Sequence, residues 1–264
     1  MGRNASRSRA SLALVAALVT AASGCGNARS DAGGGAGAPD VAAAAAAWDQ
    51  AVDDVAAQHV TLSAAWRAAT TPAERAAVRD RASRYLTDVI TDELLPPWLG
   101  MAWGLGKNST ATRPHQAGKT IACSYFVGAV LQGAGFDLRD RFRLGQAAAL
   151  NIQKSLVGGA GKVHRFLSIP PAELKEHLAA LDDGVYVIGL DVHVGLVVIR
   201  GADVRFVHAS YTGDQVVTDE PLGSAQAIAN SQRRGYFVSP LVTATGAADD
   251  WLIERWLEGD PVGP

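Results

Sequence analysis

The stretch Asp191-Val-His-Val-Gly-Leu-Val-Val-Ile-Arg-Gly-Ala-Asp-Val-Arg-Phe-Val-His-Ala-Ser210 decides the fold. Two β-branched runs, Val194–Ile199 and Val204–Val207, flank Gly201 and read as an antiparallel hairpin. Val185-Tyr-Val-Ile-Gly-Leu190 precedes it and extends the pair to a meander; residues 235–242 offer a further strand. Strand side chains alternate, so His193, Gly195 and Val197 share one face while Val194, Leu196 and Val198 share the other. A two-residue loop at Arg200-Gly201 would set His193 opposite His208, with Cβ atoms about 5 Å apart. A loop at Gly201-Ala202 would make them diagonal neighbours on the same face. A three-residue loop would break this parity unless a bulge restored it. Gly195 leaves room for another element, such as the helix expected after Cys123, or marks simple packing.

Outward from the hairpin, the pattern turns helical. Ala42 to about Ala69 reads as one helix. A second opens at Pro72, with Thr71 as cap and Glu74 in its first turn, and runs to about Leu95, where Pro96-Pro97 stops it. These two form a packing hairpin or a small accessory domain. Residues 98–119 are loop-like around Trp103-Gly104. Residues 121–134 carry a helical apolar pattern ending at Gly135. Further helices are expected at 144–157, at 171–181 behind Pro170-Pro171, and at Asp249–Leu257. The divisions are a signal at 1–25, a Gly/Ala linker at 26–41, a helical segment at 42–95, a main domain at 98–245 and a terminal helix and tail at 246–264.

The first 25 residues have a basic start (Arg3, Arg7, Arg9), an apolar run from Leu12 to Ala22, and the ending Ala22-Ser23-Gly24-Cys25. That run is too short to span a bilayer and reads as an export signal. The ending resembles a bacterial lipobox, which would lipidate Cys25 and anchor the chain to a membrane. Removing residues 1–24 takes three arginines with it and moves the formal charge from −2 to −5. This mildly acidic balance argues against a nucleic-acid partner.

The chain has two cysteines. With Cys25 lipidated, Cys123 has no intrachain partner in an oxidising compartment, which gives credit to a chemical role and leaves a small buried hydrophobe as the equal alternative. It lies where the turn at Gly118 runs into the helical pattern. A helix start places a thiol near free backbone N–H groups and the positive end of the macrodipole, and both favour the thiolate nucleophile. The N–H of Cys123 could also face an oxyanion. His193 is then the candidate base and His208 the group that fixes its tautomer. A Cys/His/His zinc site is the chemical rival. Asp191 shares a strand face with His193 and reads as a strand-end acid or an orienting group. Ser124, Tyr125 and His115 are further candidates for lining the site. The tryptophans read as core, and Arg139-Asp140-Arg141 and Gln232-Arg233-Arg234 as solvated charge.

At these residues the chain resembles the NlpC/P-sixty superfamily of papain-like bacterial cell-wall peptidases. The family pattern has a Trp-Gly approach, a Cys-Ser helix start, a His-Val-Gly strand and a third polar residue on the next strand. Here these are Trp103-Gly104, Ala122-Cys123-Ser124, His193-Val194-Gly195 and His208-Ala209-Ser210. Ala122 replaces the usual acid before the cysteine, Tyr125 replaces the usual glycine after Cys-Ser, and a helical stretch fills much of 137–182. Divergent branches resemble lipid acyltransferases and other amidases. The resemblance implies an α+β, papain-like domain, with the nucleophile helix packed on an antiparallel sheet. It also implies amide hydrolysis through a thioester without a cofactor, Cys123, His193 and His208 being catalytic and peptidoglycan stem peptides the substrate. The alternatives are a thiol acyltransferase or amidase acting on a lipid or small amide, and a non-catalytic envelope binding module.

Overall fold

The β-branched runs build one antiparallel sheet in the computed structural model, which describes residues 40–158, 163–231, 235–244 and 250–263. Its strands are β1 (His164–Phe166), β2 (Gly184–Gly189), β3 (Val194–Arg200), β4 (Asp203–Ala209), β5 (Val217–Pro221) and β6 (Tyr236–Thr243), in the order β1-β6-β2-β3-β4-β5. The meander β2-β3-β4 is as expected. The last strand among the described residues, β6, pairs between β1 and β2 and so lies inside the sheet, whose edges are β1 and β5. The signal, Cys25 and nearly all of the linker lie outside the described residues.

Arg200 pairs with Asp203, so Gly201 and Ala202 form the hairpin loop. Gly201 takes φ 57°, a conformation that favours glycine, and its N–H donates to Asp183 Oδ1 at 2.6 Å. Of the two two-residue loops open to the sequence, this is the one that makes His193 and His208 diagonal neighbours.

The helices follow the sequence closely at the N-terminal end. They are α1 (Val41–Ala68) and α2 (Pro72–Val89), which opens with a capping box: Glu74 N–H donates to the Thr71 hydroxyl and Thr71 N–H donates to the Glu74 carboxylate. α2 widens into a π-helical turn at Ile90–Leu94 before Pro96 ends it. Then come α3 (Cys123–Gly133), α4 (Arg141–Gln146), α5 (Ala149–Leu156), α6 (Pro171–Ala179), the short α7 (Gln226–Ala229) and α8 (Asp250–Glu258). The helix expected at 144–157 is thus two helices: Ala147 and Ala148 both adopt extended backbone between them.

The sheet carries a core on each side. Val185, Val187, Val194, Leu196, Val198, Val207 and Leu241 face a layer built from α1, α2, α3, α5 and α8. Tyr186, Ile188, Val197, Ile199, Phe206 and Val238 face a thinner layer from α6 and residues 222–228. The first two helices share the sheet's main core, and the described residues form one compact unit. Trp48 of α1 packs edge-on against the fully buried Trp98, which in turn meets Phe126 of α3. Trp256 of α8 donates to the Ala134 carbonyl at 2.8 Å. These tryptophans are core, as expected.

Gly133 ends α3 against the Trp48 indole, and a Cβ there would overlap the ring. Gly133→Ala is therefore expected to destabilise the domain by about 1–3 kcal/mol in urea unfolding. Combined with Trp48→Leu its cost should shrink, since the two side chains compete for the same space.

Candidate active site

The chain is brought to Cys123 by a loop tied to the far edge of the sheet. Gly100 N–H donates to Val217 O, Val217 N–H to Met101 O and Trp103 N–H to Gln215 O, so residues 100–103 run along the start of β5. The loop then folds back: Ile121 N–H donates to Ala102 O and Ala122 N–H to Ser109 O, both at 3.0 Å. Arg141 pins it from the other side through the carbonyls of Ala111 and Thr110. Arg141 is 8% exposed, against the solvated charge that its sequence neighbours suggest. Its aliphatic stem packs on Gly128 of α3 and its guanidinium lies over the Phe142 and Tyr125 rings, so an arginine in a charge-rich run is held as a bracket.

Cys123 is the first residue of α3. Ala122 caps the helix in extended conformation without a side-chain hydrogen bond, and the first helical bond is Phe126 N–H to Ala122 O. An acid here would occupy the first-turn donors; alanine leaves them available. The N–H groups of Val194, Ser124 and Cys123 itself act on the sulfur and favour its thiolate. Burial acts the other way and is the larger effect, so the thiol is pushed up. The helix-start donors are thus present, and burial of the sulfur outweighs them.

His193 sits at the junction of the β2–β3 turn and β3, where Leu190 N–H donates to the His193 carbonyl at 2.8 Å. Both Cys123 and His193 line a cavity of about 410 Å³, together with Ser124, residues 147–150, 189–192 and 194, and Phe237. The two side chains reach it from different sides of the sheet. Cys123 packs against the core layer of α3, Val194 and Leu196. The His193 ring contacts Phe206, His208 and Tyr211, which belong to the other side. They converge because pairing between β3 and β4 begins only at Leu196 and Val207, leaving the end of β3 free of β4 where the sulfur meets Val194 N–H. Among the described residues no hydrogen bond joins the thiol to His193.

Gly195 does not make room for α3, the element suggested by the sequence. A Cβ there would lie 2.6 Å from the Phe206 ring and 2.8 Å from His208 Cβ, so glycine lets β4 lay these two side chains across β3. Phe206 stacks on the His208 imidazole with ring centres 3.9 Å apart. His193 Nε2 and His208 Nδ1 are 2.8 Å apart, and His208 Nε2 lies 2.9 Å from Glu220 Oε1 on β5. Glu220 was not expected from the sequence.

Both imidazoles are held below the ordinary histidine range. His193 is lowered to about 3, by burial first and by His208 second. His208 is lowered by burial, while the hydrogen bond and charge of Glu220 pull it up. Two neutral rings with a carboxylate at one end leave a single pattern of protons. A carboxylate only accepts, so His208 Nε2–H donates to Glu220. His208 Nδ1 is then a lone pair, and His193 Nε2–H donates to it. His193 Nδ1 is left with a lone pair. The arrangement can accept a proton from a thiol and spread the resulting charge toward Glu220.

Of the remaining candidates, Ser124 lines the cavity and donates to the Gly145 carbonyl. Asp191 is also at the cavity, with its N–H donating to Ser231 Oγ. Tyr125 packs on Phe142 and Gly145. His115 lies in the approach loop at φ 48°, away from the cavity. Gln232-Arg233-Arg234 lies outside the described residues. Among the described residues, no group of three His, Cys, Asp or Glu side chains is placed to hold a metal ion. Fold and site define an α+β domain in which a thiol at a helix start shares a cavity with the first member of a His-His-carboxylate chain. Comparisons with family models, curated proteins and solved structures found no match to this chain.

Two outcomes follow from the buried titrating groups. Iodoacetamide should label Cys123 in the folded protein more slowly than a free thiol at neutral pH, with a rate midpoint above the ordinary value of about 8.5; a midpoint below it would mean the N–H groups outweigh burial. The unfolded chain binds protons on its histidines at about pH 6.5, whereas the folded chain resists them. Stability should be complete above that pH and fall as the pH drops toward about 3, the value held by His193. Melting temperatures across this range check it, and a His193→Asn/His208→Gln double variant should show a shallower fall.

Proposed function

We propose that this chain is an exported cysteine hydrolase of papain-like architecture that cleaves amide bonds through a thioester. Its proposed location is the cell envelope, anchored by a lipid on Cys25, and its proposed substrates are peptidoglycan stem peptides. The observation that carries the reading is the shared cavity of Cys123 and His193, backed by the hydrogen bonds to His208 and Glu220. The likeness of Trp103-Gly104, Cys123-Ser124, His193-Val194-Gly195 and His208-Ala209-Ser210 to the NlpC/P-sixty pattern supports it in sequence.

The chemistry starts from a neutral pair. As the sulfur bonds to the scissile carbonyl carbon, its proton passes to His193 Nδ1, so attack and proton transfer are coupled. The N–H groups gathered round the sulfur are the donors available to the oxyanion. When the C–N bond breaks, His193 returns the proton to the departing amine. Water then adds to the thioester, giving its proton to the same nitrogen, and collapse releases the acid and restores the thiol. His193 must be neutral to start, and its depressed pKa keeps it so well into the acid range.

A second reading has support from the cavity wall. Ala147, Ala148, Ala149, Leu150, Leu190, Val192, Val194 and Phe237 give it an apolar lining among the described residues. Such a wall suits an apolar acyl group, as in a lipid or small-amide substrate, with the thioester passed to another acceptor or to water. Purified protein assayed in parallel on muropeptides and on N-acyl amides of graded chain length separates the two readings.

Cys123→Ala should abolish turnover without unfolding the domain. His193→Ala should lower the rate by about 10²- to 10⁴-fold, the size of a general-base contribution, and His208→Ala by less. The larger loss at His208 would mean that the base is misassigned. An unreactive protein on every substrate, with no acyl adduct on Cys123 by intact mass, would favour the binding-module alternative.

A further inference from the structure

We infer that Glu220 is a positioning residue for this site: through His208 it decides which nitrogen of His193 carries the proton. A ring whose Nε2 faces a second histidine has no preference of its own, because the partner nitrogen can donate or accept. The choice is made at the far end of the chain. His208 is fully buried, with Phe206 stacked on one face, and its Nε2 has Glu220 as its protein partner at 2.9 Å. The carboxylate has no proton to give, so every bond in the chain points toward it. The result is a lone pair on His193 Nδ1, the one nitrogen of that ring not engaged with His208 and so the one free to take a proton from Cys123.

The placement of Glu220 follows from the sheet. In the β4–β5 register Glu220 pairs with Phe206 and His208 with Thr218, so Glu220 and His208 are diagonal neighbours on one face. His193, just ahead of β3, stands in the same diagonal relation to His208 when the β3–β4 register is extended past its last pair, and the two rings are in hydrogen-bond reach. The chain thus steps diagonally across three strands. Arg205 does not compete for Glu220, being paired with Asp219 through side chain and backbone.

The rate consequence rests on the thiol-hydrolase reading; the tautomer does not. The test uses both. Nitrogen-15 spectra of the histidine rings, recorded on the full soluble chain at about pH 8, above the ordinary histidine range, distinguish a protonated ring nitrogen from a lone-pair one without any substrate. The wild type should show His193 with Nε2 protonated and Nδ1 bare. In Glu220→Gln the amide can donate as well as accept, and Glu220→Lys can only donate. The fixed pattern should be lost in the first and reversed in the second, with turnover falling by about 10²-fold or more as the base is disabled. Glu220→Asp, which still only accepts, should keep the wild-type pattern and most of the rate. A wild-type His193 protonated on Nδ1 would overturn the inference. So would a pattern and rate unchanged in both Glu220→Gln and Glu220→Lys. If the tautomers change as described while no substrate is turned over by any form, the positioning role stands and the hydrolase reading fails.

Discussion

The site depends on the register of one hairpin. Because strand side chains alternate, a slip of one residue between β3 and β4 would carry His208 to the α3 side and leave His193 where it is. Two features hold the register. Gly201 takes a left-handed turn that other residues resist, and its N–H is held by Asp183 from the start of β2. Gly195 then admits Phe206 and His208 at a separation that any side chain would deny. One glycine sets the alignment and the other makes it physically possible. Both belong to the run that announces the hairpin in the sequence.

Much of the architecture was legible because the local signals were strong. Thr71-Pro72 with Glu74 marks the start of α2, and the β-branched runs mark β2, β3, β4 and β6. What escaped was short, polar or decided by tertiary packing. The strand Val217–Pro221 alternates weakly, ends in proline and follows a seven-residue connection, so its register against β4 could not be counted. Glu220 was hidden with it, although its spacing of two from Thr218 puts both on the His208 face once the strand is known. The alanine pair 147–148 reads as helix by propensity and is extended in the fold, where Ala149 and Gln153 of the next helix press on Gly189. Arg141 is buried although it is charged and flanked by charge, because five donors can hold a loop by its carbonyls.

The site residues tell the same story at finer scale. Cys123, His193 and His208 could be chosen from residue type, order and strand parity. Their protonation could not. The donors at a helix start are visible in a sequence, but the depth at which they lie is not, and here depth governs. A site built from neutral partners differs from one that stores a thiolate and an imidazolium. The first is less open to stray alkylation and oxidation and needs the substrate's carbonyl in place before the proton moves.

Glu220 also differs from the groups behind it in being wet. His208 is sealed from solvent, while the side chain of Glu220 is 29% exposed on the edge strand. The hydrogen-bonded line from His193 therefore has one end in the cavity and one at the surface. With the cavity filled and closed to water, His193 would still communicate with bulk solvent through this line. The ring has a back door: a proton can be exchanged behind a blocked front entrance.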